Sequence, residues 1–172
     1  SYAFGSFAHF LEVYEAATSV LKTPEDYRRL TRVVLEEQAA HGILYTEAFL
    51  SPAFCGGDDL SAWAEYLAAI REAAEEAEAQ DGVILRGIVT AVRHFGPERA
   101  RASAACAQEP AGDWLVGFGM GGNERVGRTG EYAYAFDMAR EAGLRLTSHA
   151  GEWDGPEAVA DTLDHLRVER LG

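Results

Sequence analysis

Cysteine is scarce in this chain. Only Cys55 and Cys106 occur, which makes neither the framework of a disulfide-stapled domain nor a Cys-x-x-Cys metal clip, so the reducing cytoplasm is the expected compartment. Basic residues are also in deficit: 15 Lys and Arg stand against 28 Asp and Glu, a formal net charge of −13 at pH 7. A phosphate backbone or an anionic membrane surface is repelled on average, and neither nucleic acid nor membrane is an expected partner. No eighteen-residue stretch is both apolar and free of charge, so no membrane span is expected. The opening Ser-Tyr-Ala-Phe-Gly lacks the basic start and apolar stretch of a signal peptide. No Gly-x-Ser-x-Gly elbow surrounds Ser148, which argues against a serine hydrolase.

What is there is a folded composition, 48 % apolar and 10 % aromatic over 172 residues, enough for one domain with a real core but short of the ~250 residues of a closed eight-fold α/β barrel. The first forty residues read as two helices, with Phe7, Phe10, Leu11, Tyr14, Ala17 and Leu21 at three- and four-residue steps and Thr23-Pro24 as cap and first turn. Then a grammar repeats. Apolar, strand-like runs at Ile43–Leu50, Val83–Val92, Trp114–Gly119, Leu144–His149 and Val168–Leu171 alternate with helices over about Leu60–Gln80, after Pro97, over about Glu131–Ala142 and after Pro156. A helix between each pair of strands makes the strands parallel by right-handed crossover, so the fold class is α/β. Two architectures accept this order: an open doubly wound sheet or an arc of a β/α barrel. The turn after the first strand runs from Ser51 to Gly57 and is not the glycine-rich turn of a dinucleotide site.

Functional groups in parallel α/β folds gather where strands end. The strongest candidate is Thr147-Ser148-His149-Ala150-Gly151-Glu152, where a strand delivers an imidazole and, three residues on, a carboxylate. Such a pair can serve as metal ligand and general acid or base. The plainer reading is an ordinary His and Glu in a loop, with Glu152 favouring the next helix N-terminus. A second place is Val116 to Glu124, where paired glycines, Gly121 and Gly122, bend the chain and let backbone approach a ligand. A third is Arg93-His94, with His94 a candidate pocket residue and Arg93 expected to be held by a carboxylate such as Glu47 in a structural network. His9, His41 and His165, and the acidic run Glu72, Glu75, Glu76 and Glu78, read as solvated.

The string Ser148-His149-Ala150-Gly151-Glu152, followed a helix later by Val168-Glu169-Arg170-Leu171-Gly172, resembles the adenosine/adenine deaminase family of zinc amidohydrolases. The likeness extends to the aromatic N-terminal helix, Tyr45 to Pro52, Arg93-His94 and Gly122-Asn123-Glu124. It implies a partial (β/α)8 TIM barrel of about five parallel strands with intervening helices, plus an N-terminal helical segment whose Phe4, Phe7 and Phe10 form a hydrophobic lid. It further implies that His149 is a zinc ligand, that Glu152 donates a proton to the purine ring, and that Gly122 presents its backbone to the purine. The implied reaction is hydrolytic deamination of a 6-aminopurine nucleoside, adenosine to inosine plus ammonia, by a zinc-activated water. The alternatives are adenine or another 6-aminopurine as substrate, or a non-catalytic deaminase-like protein that binds a nucleoside or a partner.

The family's His-x-His pair, its histidine after the Arg-Leu-Gly strand and its late aspartate have no counterpart here, and Gly119 and Asn123 stand where relatives often carry acids. Residues 1–172 are therefore expected to be the central portion of one barrel domain, truncated at both ends and inactive alone, since a catalytic zinc normally takes three protein ligands.

Overall fold

The computed structural model describes residues 4–172. Local sequence starts and stops most of its helices. In α1 (Phe7–Thr18) Ser6 accepts a hydrogen bond from the His9 N–H, and α2 (Pro24–Ala40) opens on a reciprocal cap between Thr23 and Asp26. Strand β1 (Tyr45–Leu50) leads to α3 (Leu60–Asp81), which Asp59 caps by accepting from the Ala62 N–H and which ends on Gly82 at φ 74°. Next come β2 (Ile84–Val92), α4 (Pro97–Gln108), β3 (Leu115–Gly121), α5 (Ala133–Glu141), β4 (Arg145–Ser148), α6 (Pro156–Leu166) and β5 (Arg170–Leu171). Differences from the expected bounds are small. Strand β3 runs two residues further because its pairing with β2 continues to Val92 opposite Gly121, and α5 is preceded by a 3-10 turn over Thr129–Tyr132.

The five strands are all parallel and lie in the order β1-β2-β3-β4-β5. A doubly wound sheet reverses its strand order at a switch point, and this one does not, so it is an arc of a barrel. The curvature can be read from a side-chain pair. In a flat sheet with strands about 4.8 Å apart, β1 and β5 would be separated by about 19 Å, beyond the reach of an Arg and a Glu. Yet Arg170 Nη2 of β5 lies 2.7 Å from Glu47 Oε2 of β1. The expected half-barrel with helices around it is what forms.

The core fills the space between the convex face of the sheet and the helices. Phe118 of β3 meets Phe136 of α5 edge to face at 5.2 Å, and the Trp63 indole N–H of α3 donates to the Cys106 carbonyl of α4 at 2.9 Å. Alanines at Ala73, Ala74, Ala77, Ala100, Ala104 and Ala107 are buried and let the helices approach closely. A second cluster, Leu35, Ile70, Ala74, Ala77, Val83 and Leu85, seats α2 on α3. The acidic run Glu72, Glu75, Glu76 and Glu78 is expected from sequence to be solvated, but Glu72 and Glu76 both pair with Arg28 of α2, so this face of α3 is partly a helix-to-helix contact.

Strand β1 is hydrogen-bonded on one side, to β2, and Leu44, Tyr45 and Phe49 at that edge are 72 %, 52 % and 53 % exposed. An apolar, open edge templates pairing with other chains. A polypeptide of these 172 residues is therefore expected to self-associate in light scattering; a monodisperse monomer with one cooperative melt would contradict this.

Candidate active site

The curvature turns the C-terminal ends of the strands towards one cleft of about 580 Å³, bounded on the other side by α1 and α2. His149, directly after β4, Glu152 and Gly122, directly after β3, all line it, as does His94 after β2. The three residues singled out by the deaminase resemblance are therefore brought together.

His149 is held by what its neighbours lack. A Cβ on Gly121 would stand 2.8 Å from the His149 Cδ2, and one on Gly172 would stand 2.7 Å from its Nδ1. The imidazole thus lies against bare backbone on both adjoining strands, while the Phe49 ring of β1 faces it at 6.0 Å. Its backbone N–H donates to the Met120 carbonyl at 2.9 Å. Among the described residues neither ring nitrogen has a hydrogen-bond partner, which leaves the ring with a lone pair for a ligand bond. The same residues contain no group of three His, Cys, Asp or Glu placed to hold one ion. The chemistry of one free imidazole nitrogen suits one position of a tetrahedral metal site.

Gly122 takes φ +105°, and a Cβ there would be 2.7 Å from the His94 Nδ1, so only glycine suits both its conformation and its close approach. The Asn123 N–H donates to His94 Nδ1 at 3.3 Å, which puts the proton of the neutral ring on Nε2, 3.8 Å from the Glu15 carboxylate of α1. Helix α1 also meets the site through Phe7, stacked on Trp153 at 4.9 Å. With Phe10, Leu11 and Tyr14 also lining the cleft, α1 sits where the expected apolar lid would be. Gly117, Gly119 and Gly122 have the spacing of a dinucleotide loop, but the first two lie inside β3, where they make no turn.

One expectation needs correction. Arg93 is not held by Glu47. It is buried and donates to the carbonyls of Val126 and Gly127 at 2.9 and 3.0 Å and to Thr129 Oγ1 at 3.4 Å, pinning the loop after β3. Glu47 instead takes Arg170, whose hydrogen bond holds the carboxyl below its usual range against the opposing effect of partial burial, with help from the Tyr45 hydroxyl at 3.0 Å. The Arg93-His94 side chains separate because the backbone turns as a 3-10 helix at the strand end.

Sequence reading passed over Glu124 except as the acid after a glycine bend. It is 5 % exposed and accepts from the backbone N–H groups of Gly151, Trp153 and Asp154, the loop that carries Glu152. Burial works to raise its pKa, but those N–H groups and that of Glu152 outweigh it and leave the carboxyl below its usual range.

A family model for adenosine deaminase matches residues 2–172. The chain belongs to the adenosine deaminase family. Its relatives include an adenine deaminase of Agrobacterium fabrum, 45 % identical over 172 residues, covering 99 % of this chain and 52 % of the relative. Among solved structures, adenine deaminase from Arthrobacter aurescens superposes with a TM-score of 0.85 at 27 % identity, covering 98 % of this chain and 51 % of that one. An amidohydrolase from Burkholderia ambifaria with bound Zn gives 0.79 at 31 % identity, covering 88 % and 42 %. This member of the deaminase family spans about half the length of the curated relatives it matches.

The glycine requirement can be measured. Gly122→Ala should destabilise the folded protein by about 1–3 kcal/mol, through its positive φ and the contact with His94; chemical denaturation that shows no change would remove both constraints.

Proposed function

We propose that the whole protein hydrolytically deaminates a 6-aminopurine, replacing the exocyclic amine by oxygen from water and releasing ammonia, with adenine as the preferred substrate. The observation that carries this reading is that His149, Glu152 and Gly122 share one cleft at the strand ends of a half-barrel. Adenine is favoured by the names of relatives at 42–45 % identity. Adenosine, favoured from sequence, is the second reading, supported by the description of the matching family model.

When bound, a divalent metal, zinc by analogy with the Burkholderia ambifaria protein, supplies an acidified water at neutral pH. The neutral imidazole of His149 would provide one of the nitrogen donors, held in orientation by the backbones of Gly121 and Gly172. Glu152 would carry the proton delivered to a ring nitrogen as water adds at the amine-bearing carbon. Gly122 leaves room for the purine to lie close to backbone, and the aromatic face of α1 would shield the base from bulk water. Residues 1–172 would be the central portion of the barrel, the remaining ligands coming from the rest of the whole protein. A cytoplasmic setting belongs to the same reading and rests on there being two free cysteines, Cys55 and Cys106, in place of a disulfide framework.

In the whole protein, Glu152→Gln should keep its metal and lose about 10²–10⁴-fold in kcat; near-normal turnover would remove Glu152 from proton transfer. His149→Ala should lower both metal content and rate, and elemental analysis showing metal retained would refute the ligand role. Comparing kcat/KM for adenine and adenosine separates the two substrates. A purified protein with no metal and no turnover of either would favour a binding protein over an enzyme.

A further inference from the structure

The segment from Ala150 to Gly155 leaves β4 with little to hold it. Gly151 and Gly155 both take φ +79°, and Glu152, Trp153 and Asp154 between them are exposed. Its backbone is instead gathered by one residue from the loop after β3. Glu124 Oε2 accepts from the Gly151 N–H at 2.9 Å, and Oε1 accepts from the Asp154 N–H at 2.6 Å and from the Trp153 N–H. Arg125 holds the same segment from the acceptor side, donating to the Trp153 carbonyl at 3.1 Å and to Asp154 Oδ1 at 2.9 Å. The Glu124 carboxylate does not line the cleft that Glu152 lines.

From this geometry we propose that Glu124 is a positioning residue for the reaction: its buried carboxylate clamps the backbone on either side of Glu152 and so fixes where the Glu152 side chain meets the substrate. The inference rests on the deaminase reading of Glu152. An ionised carboxylate is an acceptor at both oxygens and can satisfy a fan of N–H donors. A glutamine of the same shape cannot, because its NH2 would face a backbone N–H. Proton transfer depends on placement within a fraction of an ångström, so a loosened clamp costs the chemical step more than it costs binding.

The test is Glu124→Gln in the whole protein, with Glu124→Asp beside it. Each is assayed for adenine turnover, metal content and hydrogen exchange at the amides of residues 151–154. For Glu124→Gln the expected result is a fall in kcat of about 10- to 100-fold, a KM within about threefold, unchanged metal content and faster exchange confined to 151–154. Glu124→Asp, which keeps the charge, should recover part of kcat. A kcat within twofold of the parent's would overturn the proposal, and so would loss of metal or a general loss of protection, which would mark a purely structural residue. If Glu124→Gln does not fold, exchange in the unsubstituted protein decides: unprotected amides at 151–154 would remove the clamp. A parent protein that turns over no 6-aminopurine would sink the deaminase reading and with it the catalytic half of this inference, while exchange would still decide the clamp.

Discussion

Five parallel strands that follow one another without a reversal of order have to carry their helices on one side, and the sheet bends away from them. The ion pair between Glu47 on β1 and Arg170 on β5 marks how far that bending goes. Everything of functional interest depends on it. Strand ends that would point along a plane in an open sheet point here into a common cleft, and residues of β1, β2 and β3 and just after β3 and β4 come within reach of each other although they are far apart in the chain.

Within that cleft, placement is achieved largely by omission. The His149 ring occupies space that Gly121 and Gly172 leave free, and His94 occupies the space beside Gly122. For His149, close packing of this kind fixes the ring without using its nitrogens, so they stay available, whereas His94 Nδ1 also accepts from the Asn123 N–H. The surrounding polar groups serve geometry too: Arg93 pins one loop through carbonyls, and Glu124 gathers the next through N–H groups. Buried charges are tolerated at both places because each is surrounded by complementary backbone dipoles instead of a single counter-ion.

The open edge at β1 and the imidazole of His149 both present groups that have no hydrogen-bond partner among the described residues. One leaves backbone groups and the apolar residues Leu44, Tyr45 and Phe49 open; the other leaves two ring nitrogens facing the cleft. The chain covers about half of the length of the curated relatives it matches.

Sequence by itself determined the elements and their order, because caps, turns and periodicity act over a few residues: Thr23 with Asp26, Asp59, Gly82, Pro97 and Pro156 each sit at a helix end as local chemistry requires. It also brought out His149, Glu152 and Gly122, since they lie where apolar runs break and match a family string. Only the tertiary structure decided who partners whom. Arg93 passes over Glu47 for loop carbonyls, Glu47 reaches Arg170 instead, and Glu124 closes on the Glu152 loop. These contacts join residues 27 or more positions apart, and no local rule reaches that far: they exist because the sheet curves.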